Sequence, residues 1–328
     1  MHNFSKHNIF TIKNLVQFQD LALKAFGFQA ENNPVYKEYL FHLGKNVSSV
    51  KTIEDIPFLP IEFFKTHPVI VESKTPSKKF FSSGTTGKRS MHLIHDLDVY
   101  EKSFITTFEN KYGKTEDLCI LALLPTYLEN ESSSLVYMVD YLIKKSNNRD
   151  SGFYLDNLNQ LAKKIQSLEK ARTKCILFGV SYALIDLAEQ FPMQLKNTII
   201  METGGMKGTR KELTKNELHQ FLCERFGVQS IHSEYGMTEL LSQAYSNGQG
   251  NFFTPPWMKI LIRDTYDPFT YLEKGKSGGI NVIDLANIYS CPFIETKDLG
   301  KINRDGSFQI IGRFDYSDIR GCNLLVAE

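Results

Sequence analysis

The sequence predicts an α/β fold with a ligand site along one edge of its sheet, and three observations support this. The apolar runs at 119–124, 175–179 and 198–201 have the length and composition of buried strands. Stretches with apolar residues at helical spacing alternate with them. Polar, glycine-bearing turns follow the later runs, and such turns at strand ends hold the ligand in wound α/β sheets.

In chain order, Leu15, Phe18, Leu21, Ala22 and Phe26 predict a helix over 12–26 that ends at Gly27, with a second short helix over 35–43. The stretch 53–65 is densely apolar and interrupted by Pro57 and Pro60, so it reads as a packed connector or as a wall for an acyl chain. An extended segment at 91–93 precedes helices over 97–112, 132–145, 155–170 and 182–190. Thr214 and Glu217 have capping-box spacing, and Leu218, Phe221, Leu222 and Phe226 carry an apolar stripe up to Gly227. A fourth strand at 228–232 is expected to deliver a turn at 233–239. Beyond residue 250, strand-like segments at 278–284 and 306–311 and an Asp305-Gly306 turn suggest a β-rich region. The expected division is a helical extension over 1–50, an α/β core over 51–249 and a β-rich subdomain over 250–328.

Composition narrows the function. The 328 residues are 42% hydrophobic and 23% charged, values of an ordinary globular chain that exclude a disordered or fibrous one. With 38 Lys plus Arg against 37 Asp plus Glu, no global field draws in nucleic acid or an anionic membrane, so small diffusible partners are favoured. No stretch is apolar enough to span a bilayer and no signal peptide is apparent. The five cysteines, Cys119, Cys175, Cys223, Cys291 and Cys322, are scattered without a CxxC pair, which argues against a disulfide framework. A cytoplasmic protein is expected.

The stretch Phe80-Phe81-Ser82-Ser83-Gly84-Thr85-Thr86-Gly87-Lys88-Arg89-Ser90 combines glycines, hydroxyls and two cations, the means by which a loop wraps phosphate oxygens. It is not a Walker A loop, because two residues separate Gly84 from Gly87 and Arg89 follows Lys88. The competing reading is a flexible surface turn. Three further patterns follow in order: the Gly204-Gly205 turn, Tyr235-Gly236-Met237-Thr238-Glu239, and Asp298 with Gly312-Arg313-Phe314-Asp315.

Together these resemble the core motifs of the adenylate-forming superfamily of acyl-CoA synthetases, nonribosomal-peptide adenylation domains and firefly luciferase. Ile61-Glu62-Phe63-Phe64-Lys65, the Ser/Gly/Thr loop, the turn at 233–239 and the segment 312–322 are more specifically similar to the acyl-protein synthetase (LuxE) family of the bacterial bioluminescence fatty-acid reductase system. The resemblance covers the chain from about residue 50 onward. It implies an adenylate-forming core that uses ATP and Mg²⁺ to activate a fatty or other apolar carboxylic acid. Ser83, Gly84, Thr85, Thr86, Gly87 and Lys88 are then suited to the phosphates. The resemblance has Tyr235 stack on adenine beside Gly236, Thr238 bond near the α-phosphate and Glu239 hold Mg²⁺. Gly204 and Gly205 would let the backbone pass close to the nucleotide, Asp298 would bind the ribose, and Arg313 would lie near ribose or phosphates. The usual glycine before that aspartate is Lys297 here.

Acyl-CoA synthetases continue into a mobile lid bearing a catalytic lysine, whereas seven residues follow Gly321. The expectation is a core without the full lid, in which Lys88 and Arg313, or a partner, supply the cations. By resemblance, the acyl group then passes to a cysteine near the C-terminus, and Cys322 is the match. Its thiolate would attack the acyl-adenylate and deliver the acyl group to a partner such as a reductase. Cys119, Cys175 and Cys223 fall in core patterns; Cys291 is a less settled alternative. His92 and His95 lack a third ligand for zinc, and His232 reads as a core or pocket residue. Phe178, Leu177, Met201, Met206 and Met237 are candidate apolar walls. The rival functions are a ligase that passes the acyl group to CoA, a carrier or an amine, and a nonenzymatic nucleotide-binding scaffold.

Overall fold

The structure is a computed structural model that describes residues 6–83, 88–124, 132–154, 157–204 and 213–314. It opens with helices α1 (Leu15–Asn32) and α2 (Pro34–His42). Next come strand β1 (Leu59–Pro60), helix α3 (Phe63–Thr66) and the hairpin strands β2 (Lys78–Phe81) and β3 (Met91–Ile94). The wound part comprises α4 (Leu97–Tyr112), β4 (Cys119–Leu123), α5 (Ser134–Ser146), β5 (Gly152–Phe153) and α6 (Leu158–Lys170). It continues with β6 (Cys175–Gly179), α7 (Ser181–Gln190), β7 (Thr198–Glu202), α8 (Lys215–Phe226) and β8 (His232–Tyr235). The remaining strands are β9 (Ala244–Ser246), β10 (Phe252–Phe253), β11 (Met258–Arg263), β12 (Ser277–Asp284), β13 (Phe293–Ile302) and β14 (Phe308–Arg313).

Most strands join one mixed sheet in the order β11-β12-β13-β14-β10-β9-β8-β7-β6-β4-β5, with β1 added in parallel beside β13. Pairing is parallel from β5 to β8 and antiparallel from β8 to β11. The predicted apolar runs form β4, β6 and β7, and their side chains alternate between two cores because strand residues point to opposite faces in turn. Ile120, Ala122, Ile176 and Phe178 face a core shared with α4, α5 and the N-terminal helices. Cys119, Leu121, Cys175 and Leu177 face the one built by α6, α7 and α8.

Two expected boundaries move. α1 does not stop at Gly27 but runs on to Asn32. A mid-helix glycine costs about 1 kcal/mol, less than the roughly 2 kcal/mol gained by burying an aromatic ring such as that of neighbouring Phe26. The true stop is Asn33, whose N–H bonds the Gln29 carbonyl and whose side chain caps α2 ahead of Pro34. The fourth parallel strand is His232–Tyr235, not 228–232. Gly227, at φ 62°, ends α8, and the polar residues His232 and Ser233 pair with Met201 and Glu202.

The connector alternative holds for 53–65. Phe58, Leu59, Ile61 and Phe64 are buried in the first core, and the Ile61 N–H bonds the Glu295 carbonyl on β13. Lys297 makes an ion pair with Glu62, fastening this stretch to the strand that carries Asp298. The Thr214–Glu217 capping box forms as predicted, and Asp305-Gly306 turns β13 into β14, with Gly306 at φ 88°.

Candidate active site

The chain leaves β4 for β5 on one side and reaches β6 on the other, so the crevice beyond the carboxyl ends of β4 and β6 is a topological switch point, where wound sheets bind ligands. A cleft of about 240 Å³ lies there. Leu124, Val180, Thr203, Gly204, Glu234 and Gly236, all at or just past the ends of the parallel strands, form its floor. Phe81 and Ser83 border it from the hairpin, Tyr100 from α4 and Met138 from α5.

The hydroxyl-rich loop joins β2 to β3, and its mouth is closed from within. The Ser82 N–H donates to the Ser90 carbonyl, and the Ser90 N–H to the Ser82 hydroxyl, both at 3.0 Å. Arg89 Nε donates to the Ser82 carbonyl, leaving Lys88 exposed. Burial raises the Glu239 carboxyl, and the nearby Ser90 hydroxyl lowers it. The turn after β8 thus lies beside the root of the loop.

A second clasp fixes that turn from behind. Fully buried His92, on β3, has Nδ1 2.7 Å from the Thr238 carbonyl and Nε2 2.9 Å from Asn287 Oδ1. The Asn287 amide donates to the carbonyls of Glu239 and Cys291. Burial lowers the His92 pKa to about 4, so the ring is neutral at pH 7 and its single N–H donates to one of these two oxygens.

Glu202, at the end of β7, ties three strand ends together. Its Oε1 accepts from the Ser181 hydroxyl and the Gly204 N–H, each at 2.7 Å, and its Oε2 from the Ser233 hydroxyl at 3.2 Å. Burial raises its pKa, but His219, the Lys215 charge 3.8 Å away and Ser181 outweigh burial and bring it down to about 2. This network bends the chain at Gly204, where φ is +78°, a conformation that needs glycine. Glu234 behaves oppositely. Burial and the neighbouring Glu202 charge raise it to about 8 despite Lys215, so it is a neutral acid at pH 7. A Cβ at Gly236 would meet Glu234 Oε1, so a side chain there requires the Glu234 carboxyl to move aside.

Asp298, on β13, accepts a 2.9 Å hydrogen bond from the Tyr235 hydroxyl and lies 3.7 Å from Arg313 Nε, its register partner on β14. Burial raises its carboxyl. The Tyr235 ring is 7% exposed and packs edge-on to Phe252 and Phe308, so it stands behind the cleft wall and ends β8 instead of sitting on a turn.

Ser83, Lys88, Gly204, Gly236, Thr238 and Glu239 thus gather around the cleft and the loop mouth, with Tyr235, Asp298 and Arg313 as an adjoining group. Gly84, Thr85, Thr86, Gly87, Gly205, Met206 and Cys322 lie outside the described residues. Of the suggested apolar walls, Met237 lines the cleft, while Phe178, Leu177 and Met201 are core. His232 sits beside Tyr112, away from the lining. Cys119, Cys175 and Cys291 are buried, and burial pushes the Cys291 thiol up to about 12, far from a ready thiolate. Among the described residues no group of three or more His, Cys, Asp or Glu could hold a metal, and no helix is long and apolar enough to cross a membrane. Sequence reasoning missed Glu202, Glu234 and the His92–Asn287 clasp. The only available signal was an acidic residue directly before each glycine-bearing turn.

Known proteins resemble this chain over much of its length. The long-chain-fatty-acid–luciferin-component ligase of Vibrio harveyi is 22% identical over 333 residues, covering 94% of this chain and 86% of its own. Among solved structures, ATP-bound MatB from Rhodopseudomonas palustris aligns with a TM-score of 0.54 at 20% identity, over 72% of this chain and 47% of that one. This chain therefore spans about half the MatB length. A 2-hydroxyisobutyryl-CoA ligase in its postadenylation state aligns with a TM-score of 0.68 at 14% identity, over 93% of this chain and 69% of that one. These likenesses show a shared fold. The model of the acyl-protein synthetase (LuxE) family matches residues 14–328, and the chain belongs to that family.

Proposed function

We propose that this ligase uses ATP to activate a carboxylic acid, fatty or otherwise apolar, as an acyl-adenylate, and then carries the acyl group on Cys322. The observation that carries the reading is the switch-point cleft itself, where Ser83, at the edge of the hydroxyl- and lysine-bearing loop, meets Gly204, Gly236 and Thr238. In the first step a carboxylate oxygen of the acid attacks the α-phosphorus, and the bond from that phosphorus to pyrophosphate breaks. Lys88 and the loop hydroxyls would neutralise charge on the leaving pyrophosphate. Asp298, braced by the buried Tyr235 hydroxyl, would receive the ribose, with Arg313 alongside.

Glu239 fits Mg²⁺ in one respect: a single hard carboxylate oxygen combined with phosphate oxygens is the donor set that ion takes, and no all-protein cage competes among the described residues. Bound there, Mg²⁺ would supply further charge neutralisation. In the second step the Cys322 thiolate attacks the acyl carbonyl, forming the C–S bond as AMP departs. Burial disfavours Cys119, Cys175 and Cys291 as acceptors, Cys223 on α8 is half-buried and not in the core as expected, and the family resemblance favours Cys322; an acyl-accepting partner such as a reductase would take the group onward.

The test is intact mass after incubation with Mg-ATP and a panel of acids. A hydroxylamine-sensitive acyl adduct that is absent from Cys322→Ala is expected. Acid-dependent pyrophosphate release without any adduct would move the acceptor off the chain, to CoA, a carrier or an amine. ATP binding without exchange for any acid would leave a nucleotide-binding scaffold.

A further inference from the structure

Arg263 is a cation that the adenylation site does not use. It lies on β11 and is 5% exposed, so its charge has to be met by the protein. One terminal nitrogen donates to the Ile280 carbonyl at 2.9 Å and to Asn281 Oδ1 at 2.8 Å, and the other donates to the Thr296 carbonyl at 2.7 Å. That second nitrogen is also 3.5 Å from Glu295. The sheet makes room for the group: a Cβ at Gly279 would lie 2.5 Å from the guanidinium carbon, and the β12–β13 pairing shifts register between Gly279 and Asn281. Hydrogen bonds made in the guanidinium plane leave its faces for stacking. The guanidinium lies over the Phe314 ring, with Cζ 5.6 Å from the centroid.

The main chain of Phe314 is held as well. Its N–H donates to the Lys297 carbonyl at 2.7 Å, which carries the β13–β14 pairing one residue past Asp298 and Arg313. Lys297 is in turn paired with Glu62. Through Arg313, Asp298 and Tyr235 this point of the chain adjoins Gly236 of the cleft. Cys322 is eight positions beyond Phe314, a tether of at most about 29 Å at full extension.

We propose that Arg263 is a positioning residue for acyl transfer: by seating Phe314 it fixes the origin of the tether on which Cys322 reaches the acyl-adenylate. This inference rests on the reading of Cys322 as the acyl acceptor. A tether with a fixed origin confines the volume and the directions from which the thiol approaches, and a loosened origin dilutes both. The second step therefore depends on the seat, and the first does not.

The experiment compares two rates in the full chain: pyrophosphate exchange, which reads adenylation, and single-turnover acyl loading of Cys322, read by quenched-flow intact mass. Phe314→Leu keeps an apolar side chain and the backbone bond to Lys297 but removes the ring. It should load at least fivefold more slowly, with exchange within twofold of wild type. Phe314→Tyr keeps the aromatic face and should load at the wild-type rate, and both variants leave buried Arg263 in place. Undiminished loading in Phe314→Leu, or an equal fall in exchange and loading, overturns the proposal. Pyrophosphate release by wild type without an adduct on Cys322 refutes the acceptor reading itself, and the positioning role falls with it. If no acid supports exchange, release of the 321–328 peptide by trypsin decides. Faster release from Phe314→Leu than from wild type and Phe314→Tyr supports the seat, and equal rates overturn it.

Discussion

Replacing Glu234 by glutamine should remove a pH dependence that the structure builds into folding. The carboxyl is raised from its ordinary 4.5 to about 8 by burial and by the Glu202 charge. Between those values the folded protein holds a proton that the unfolded chain has released, so this residue's contribution is fully present below pH 4.5 and is lost as pH rises towards 8. At ~1.36 kcal/mol per pH unit the full displacement corresponds to about 5 kcal/mol. Glu234 lines the cleft and is not sealed in the core, so a measured effect of roughly 2–5 kcal/mol fits the geometry. Glutamine keeps the shape and cannot ionise. Glu234→Gln should therefore match wild type near pH 5 and exceed it increasingly up to pH 8, with the advantage level above that. Urea denaturation of both proteins from pH 5 to pH 9 at unchanged slope measures this, and titrating groups that do not interact with Glu234 cancel in the difference. Parallel stability curves from pH 5 to pH 8 would refute the reasoning, because Glu234 would then be solvated and ionised in the folded state.

Three other outcomes follow from the same site. Glu202→Gln should lose about 3 kcal/mol of stability at neutral pH, since the wild-type carboxyl drops from 4.5 to about 2; that contribution is present above pH 4.5 and vanishes as pH falls towards 2, which acid denaturation of the pair would reveal. Tyr235→Phe removes the 2.9 Å bond to Asp298 and should raise the KM for ATP about 3- to 10-fold with little change in KM for the acid, read by pyrophosphate exchange. His92→Ala removes a fully buried ring together with its single N–H donor to the Thr238 or Asn287 oxygen, and should lower stability by about 2–4 kcal/mol in urea denaturation. Exchange turnover should fall more than substrate KM rises, because the clasp positions Thr238 and Glu239.

Much of this protein is written locally. The β4, β6 and β7 runs, the Thr214–Glu217 cap and the Asp305-Gly306 turn are each encoded within a few residues, because strand burial, capping and turn formation are short-range chemistry. The order of the glycine-bearing motifs is equally legible, and it led to the family. What the sequence alone could not determine depends on side chains that meet only after the sheet is assembled. His92 and Asn287 are 195 positions apart, and Tyr235 and Asp298 are 63 apart. β8 defeated pattern reading because its strand residues are held by hydrogen bonds to Glu202 and its neighbours more than by an apolar run. The opposite states of Glu202 and Glu234, one ionised and one neutral, were likewise decided by tertiary structure. The same residue type is surrounded by donors and a lysine in one place, and by apolar walls and a like charge in the other.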